Sequence, residues 1–180
     1  IHPYRGSLDD GAFINQLREV AKRVKRPVWI TEMGWGTHVP HNSIETGFVV
    51  TTERQQAGLL ARAYVDAMVS EAVSNISWYD FRNDGNDPMN FEHNMGIVKR
   101  DFRIKPAYRA LVTTTAQLKG LKFEQALDLA EGVMAYRFTG GDRSQAVTVV
   151  WSTDQDRSVE YPDNESVILT DLMGATHLIK

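Results

Sequence analysis

Three times within the first 119 residues a short β-branched or aromatic run gives way to a loop and then to a helical pattern. This alternation constrains the chain more than any other feature. Ile1-His2-Pro3-Tyr4 reads as the end of a strand. After Asp9 and Asp10, the residues Phe13, Ile14, Leu17, Val20, Ala21 and Val24 recur at spacings of three and four, which predicts a helix with one apolar face. Lys22, Arg23, Lys25 and Arg26 suit the negative end of its dipole, and Pro27 stops it. Val28-Trp29-Ile30-Thr31 follows at once as a second strand. Thr52 with Gln55 forms a candidate capping box for a helix running to about residue 73, with Leu59, Leu60, Ala63, Tyr64, Ala67, Met68 and Ala72 on a broad apolar face. Residues 75–81 read as a third strand. Lys105-Pro106-Ala107-Tyr108 starts a third helix that ends near Gly120. Strands alternating with helices in this way imply a parallel sheet with right-handed crossovers.

After Gly120 the pattern changes. Val133–Thr139, Ala146–Trp151 and Val167–Leu172 are short β-branched runs separated by Gly, Asp and Asn turns, and residues 176–179 are one further candidate strand. The expected organisation is an α/β unit over 1–119 and a small antiparallel β unit over 120–180. Two long loops, 33–51 and 82–104, interrupt the first unit, and such loops in compact domains are usually functional or mobile. Met95-Gly96-Ile97-Val98 is a short extended piece in the second loop.

Composition removes several function classes. The 180 residues are 42% hydrophobic and 24% charged, enough for a real core. A net charge of -3 gives no basic surface for nucleic acid or an anionic membrane. Cysteine is absent, which excludes disulfides, thiolate metal sites and a Cys nucleophile. No apolar run approaches the length of a membrane span. The chain opens on Ile1 in what reads as a strand end, so it is expected to be a piece of something longer. No phosphate-binding glycine loop and no nucleophile elbow occurs.

The stretch Val28-Trp29-Ile30-Thr31-Glu32-Met33-Gly34-Trp35-Gly36 delivers a lone carboxylate to the end of a buried strand. A strand-end carboxylate is a common catalytic placement in α/β barrels. It is equally a common place for an ion pair. Trp35 and Trp78 fit either aromatic walls of a ligand site or core packing. Trp29 precedes Glu32 by three and is expected in the core between strands and helices. His38 and His41 lack the helix and carboxylate that a metal motif would bring and are read as loop residues. Asn83, Asp84, Asn86, Asp87, Asn90 and Glu92 fit a solvated loop, with hydrogen bonds to a polar ligand or a calcium ion as the other readings. Their spacing does not match an EF-hand. Asn164-Glu165-Ser166 is a formal glycosylation sequon.

The order of landmarks carries a resemblance. His2-Pro3-Tyr4, Trp29-Ile30-Thr31-Glu32, Ile76-Ser77-Trp78-Tyr79, Met95-Gly96-Ile97-Val98 and Lys105-Pro106-Ala107-Tyr108 follow one another as in the last third of a clan A glycoside hydrolase. The chain most resembles the families of bacterial exopolysaccharide hydrolases and β-xylosidases, over about residues 1–119 and more loosely beyond. The resemblance implies strands six to eight of a TIM (β/α)8 barrel followed by part of a β-sandwich. It implies a retaining β-glycosidase with Glu32 as nucleophile, Tyr4 donating a hydrogen bond to it and His2 beside it. Trp78 would floor the sugar site and Trp35 would lie in the loop beside the cleft; Asn83, from the polar loop read above, is a further candidate substrate contact. The acid/base Glu would lie outside this chain. The implied partners are a carbohydrate substrate and the N-terminal remainder of the barrel, with no cofactor, and a secreted or periplasmic parent protein would suit that activity. A non-catalytic carbohydrate-binding module and an inactive fragment are the competing readings.

Overall fold

The computed structural model describes residues 1–6, 8, 11–38, 51–141, 145–161 and 166–179. The expectations placed on Asp9, Asp10, His41, Asn164, Glu165 and the middle of the first long loop lie outside the described residues.

Helix α1 spans Ala12–Val24, and strand β1 spans Val28–Ile30. Helix α2 spans Glu53–Ser70, and strand β2 spans Val73–Ile76. Helix α3 spans Pro106–Leu118. The predicted capping box forms: Thr52 Oγ1 accepts from the Gln55 amide at 3.1 Å, and the Gln55 side chain accepts from the Thr52 amide at 2.8 Å. These bonds satisfy two donors that a helix start otherwise leaves free. Pro106 opens α3 at a position where its missing N–H costs nothing.

Strands β1 and β2 pair in parallel, Val28 with Val73 and Ile30 with Ile76. The opening segment lies along the other edge of β1. The Ile1 amine donates to the Trp29 carbonyl at 2.7 Å, and the Thr31 amide donates to the Ile1 carbonyl at 3.2 Å. Residues 75–81, expected as a strand, are strand only up to Ile76. Beyond it the chain stays beside its neighbour through Ser77 N to Ile30 O and Tyr79 N to Met33 O, both 2.8 Å.

Among the described residues from Lys122 onward, the regular elements are β strands. Strands β3 (Lys122–Ala126), β4 (Val133–Thr139) and β5 (Ala146–Ser152) form one antiparallel sheet in that order. Strands β6 (Val167–Thr170) and β7 (Thr176–Ile179) form a separate hairpin. Strand β3 has no counterpart in the sequence pattern: Lys122-Phe123-Glu124-Gln125-Ala126 has weak strand propensity and is recruited by pairing with β4.

Three core clusters join these elements, and α2 contributes to each. Ala63 and Ala67 pack with Phe13, Leu17, Ile30, Met33 and Trp35. Val65 and Val69 pack with Ile14, Leu118, Tyr136 and Phe138, so the antiparallel sheet shares a core with the helices. Ala57 and Leu60 pack with Ile97, Ala107 and Ala110. The apolar face of α1 is covered only in its first half: Phe13, Ile14 and Leu17 are buried, whereas Val24 is 53% exposed.

Trp29 departs from expectation. It is 60% exposed rather than core. Val28 and Ile30 take the face of β1 that meets the helices, which turns Trp29 and its partner Asn75 to the opposite, uncovered face.

Asp66 lies on α2 at 4% exposure. Burial pushes its carboxyl up to about 7 against the opposing charges of Arg62 and Arg5. An unfolded Asp ionises near ~3.9. Between about pH 4 and pH 7 the unfolded chain therefore releases a proton that the folded chain keeps, and stability falls as pH rises through that window. Asp66→Asn is expected to flatten this fall, raising the melting temperature more at pH 8 than at pH 4. Thermal melts of both proteins across that range are the check, and equal shifts at the two ends would remove Asp66 as the cause.

Candidate active site

Glu32 stands two residues beyond β1, where the chain leaves the parallel pair. Two side chains from the opening segment converge on it. Tyr4 donates its hydroxyl to Glu32 Oε1 at 2.5 Å. His2 places Nδ1 3.2 Å from Glu32 Oε2. The other His2 nitrogen, Nε2, lies 3.0 Å from Thr31 Oγ1, which fixes the ring edge-on to the carboxylate. Glu32 thus has both oxygens engaged while about a third of its side chain stays open to solvent.

The electrostatics keep Tyr4 a donor. Burial is the largest cause, and the hydrogen bond and charge of Glu32 come next. They raise the phenol well above its ordinary range, with Tyr79 and Glu92 adding in the same direction. Tyr79 is itself raised, first by burial and then by Asp84, Asp80 and Glu92. Its hydroxyl donates to Asp84 Oδ2 at 3.4 Å. Burial also raises Asp80. The segment after β2 thus brings a second tyrosine, Tyr79, and the Glu92 carboxylate into the electrostatic neighbourhood of Tyr4.

The two tryptophans meet but do not frame an open cleft together. Trp35 is 2% exposed, its indole nitrogen donates to the Gly6 carbonyl at 3.2 Å, and its ring lies 5.8 Å from that of Trp78. Expected beside the cleft, Trp35 is instead enclosed by Phe13, Leu17 and Met33, because the turn after Glu32 folds back over α1 and α2. Trp78 is half-buried, packs against two core clusters and donates to the Met95 carbonyl at 3.4 Å. It keeps a partly open ring. Asn83 does not join the Glu32 group. It is buried at 7% exposure, its amide donates to the Val98 carbonyl at 3.0 Å, and its side-chain oxygen has no partner among the described residues. His38 is buried edge-on against Phe91 at 5.4 Å, and burial lowers its pKa. Among the described residues, no three His, Asp or Glu side chains converge in a way that would hold a metal ion.

Sequence reasoning passed over the residues that hold these loops. Gln56, wholly buried on α2, donates to the carbonyls of Trp35 at 2.7 Å and Met95 at 3.2 Å. Lys105, 1% exposed, donates from Nζ to Thr37 Oγ1 at 3.1 Å and to the Asn94 carbonyl at 3.0 Å. One signal was available: a Gln on the expected apolar face of a helix, and a Lys directly ahead of a helix-opening Pro, are polar groups that burial must satisfy.

No family model matches the chain, and no curated protein matches it. Among solved structures, the chain is similar to a family 39 glycoside hydrolase from the gut symbiont Bacteroides cellulosilyticus WH2, with a TM-score of 0.74 and 27% sequence identity. The match covers 91% of this chain and 33% of that one, so this chain spans about a third of that neighbour's length. The protein is a mixed α/β chain with small antiparallel sheets whose fold corresponds to a segment of that hydrolase.

Gly34, two residues past Glu32, sets how closely the two loops approach. A Cβ there would overlap the carbonyl oxygen of Tyr79. Gly34→Ala is expected to cost about 1–3 kcal/mol by overpacking. Denaturant unfolding measures this, and a variant within ~0.5 kcal/mol of the parent would show that the Tyr79 backbone is free to yield.

Proposed function

We propose that this chain is the C-terminal part of the (β/α)8 catalytic barrel of a retaining β-glycosidase, followed by a β-sandwich-like region, with Glu32 as the catalytic nucleophile. The observation that carries this reading is the pairing of Glu32 with Tyr4 and His2 at the exit of a parallel strand, in a chain that matches a third of a family 39 glycoside hydrolase. The uncovered face of the β1–β2 pair supports the barrel, since parallel strands normally have both faces covered. On this reading the cover is the N-terminal remainder of the barrel, whether in the same protein or in a second chain.

The chemistry follows from the carboxylate and its donors. Retaining glycosidases use two carboxyl groups about 5–5.5 Å apart. Glu32 attacks the anomeric carbon and forms the glycosyl-enzyme as the leaving oxygen takes a proton from the second carboxyl. That second group then draws a proton from water, the water attacks the anomeric carbon, and the bond to Glu32 breaks. The acid/base residue lies in the remainder of the barrel. Tyr4 and His2 orient the Glu32 carboxylate. The partly open ring of Trp78 offers an apolar surface for the C–H face of a sugar. No cofactor enters this scheme.

The test is covalent labelling. The intact protein is incubated with 2,4-dinitrophenyl 2-deoxy-2-fluoro-β-glycosides of xylose, glucose and mannose, and intact mass and peptide mapping follow. A mass increase mapping to Glu32 is expected. Label on another residue would overturn the nucleophile assignment, and binding without any label would favour a carbohydrate-binding role. Glu32→Gln is expected to keep the fold and lower kcat by at least about a thousandfold. Tyr4→Phe removes one hydrogen bond to a charged group, of about 1.5–3 kcal/mol. It should therefore lower kcat/KM by roughly ten- to a hundredfold while leaving unfolding cooperative.

A further inference from the structure

Lys105 is buried more completely than any other charged side chain among the described residues, and the reaction above does not use it. Long ammonium side chains are seldom fully buried unless paired. No carboxylate pairs with this one among the described residues. The charged groups acting on it are Glu53 and Lys99, which are bonded to each other at 2.9 Å. Burial lowers its pKa to about 8. The ammonium is satisfied instead by two acceptors from different segments: Thr37 Oγ1 at 3.1 Å and the Asn94 carbonyl at 3.0 Å. Thr37 comes five residues after Glu32. Asn94 closes the segment that carries Tyr79, Asp84 and Glu92. The Thr37 amide also donates to the Asn94 carbonyl, at 3.1 Å. The Lys105 amide donates to the Ile97 carbonyl at 3.0 Å, so its stem is anchored on that same segment. Pro106 follows at the first position of α3, and the helix holds the stem from behind.

We infer that Lys105 is a positioning residue for Glu32. Its ammonium ties the segment leaving β1 to the segment leaving β2 and so fixes how the stretch that follows Glu32 sits against the stretch that carries Tyr79 and Glu92. The inference rests on the reading of Glu32 as nucleophile. A nucleophile displaced by about 1 Å loses rate steeply, which is why such a tie acts on turnover and not only on stability. Gln56 makes a parallel link between Trp35 and Met95. The Lys105 tie lies further out, beside the Thr37–Asn94 bonds and the packing of His38 on Phe91.

The experiment uses the intact protein and four forms of it: parent, Lys105→Met, Thr37→Val and Thr37→Ser. The first readout is hydrogen exchange of peptides covering 33–38 and 92–98. The second is the rate at which the 2-fluoro glycoside labels Glu32. Lys105→Met and Thr37→Val are expected to speed exchange in both peptides at least tenfold and to slow labelling at least tenfold, with exchange in α3 unchanged. Thr37→Ser keeps the hydroxyl and should stay within twofold of the parent in both readouts. Thr37→Val serves alone if Lys105→Met does not fold. The inference is overturned if labelling is unchanged, whether or not exchange rises. It is also overturned if exchange rises equally through α3 with no rescue by Thr37→Ser, since the lysine would then be merely structural. A parent protein that takes no label at Glu32 would overturn the glycosidase reading and Lys105's role in it. The exchange readout would then still report whether the tie itself exists.

Discussion

Every core cluster among the described residues closes against helix α2. Its contacts are made largely by small or β-branched residues: Ala57, Ala63, Val65, Ala67 and Val69. Short side chains let neighbouring elements approach its backbone closely, so the β1–β2 pair, α3 and the antiparallel sheet all pack on one helix. Two of its polar residues extend this role. Gln56 bonds to both loops beside the candidate site. Arg62 donates to the Ser152 carbonyl at 3.1 Å and lies over the Trp151 ring, fastening β5 to the helix. The positions of both loops around Glu32 therefore depend on α2 being packed.

The candidate site contrasts with that core. Glu32 is partly open, and its partners come from a segment held beside β1 by two backbone hydrogen bonds. Stability and chemistry are thus divided along β1: the strand buries Val28 and Ile30 in the core, and the carboxylate stands beyond its end. One face of the β1–β2 pair is closed by α1 and α2, and the other carries exposed Trp29 and Asn75. A hydroxyl and an imidazole aimed at one carboxylate order it without burying it, which leaves it able to meet a ligand.

Much of the architecture was legible because local patterns agreed with the final packing. The capping box at Thr52, the proline at the start of α3 and the apolar spacing of Phe13, Ile14 and Leu17 are local signals, and each lies where expected. Elements whose existence depends on a partner were less legible. Strand β3 exists because β4 pairs with it. The strand expected over 75–81 is instead Val73–Ile76, and the chain beyond it stays beside its neighbour through two further backbone bonds. At the site, the strand-end placement of Glu32 was legible from its own neighbours, the link to Tyr4 and His2 came only through the resemblance, and Trp35 was expected at a cleft and is enclosed. An aromatic residue after a strand reads the same whether the following turn folds outward or back over the helices.

The residues by themselves determined the alternation of strands and helices, the later change to antiparallel β structure and the arrival of a carboxylate at a strand end. Periodicity, caps and breakers act within a few residues, so they survive in a linear reading. Tertiary structure alone decided that Trp29 faces outward, that Lys105 and Gln56 bridge the two loops, and that Tyr4 reaches Glu32 across 28 positions. Those outcomes depend on which elements are brought together in space. A buried polar group takes whatever acceptor the packing leaves within about 3 Å, and nothing local to Lys105 names Thr37 or Asn94 as that acceptor.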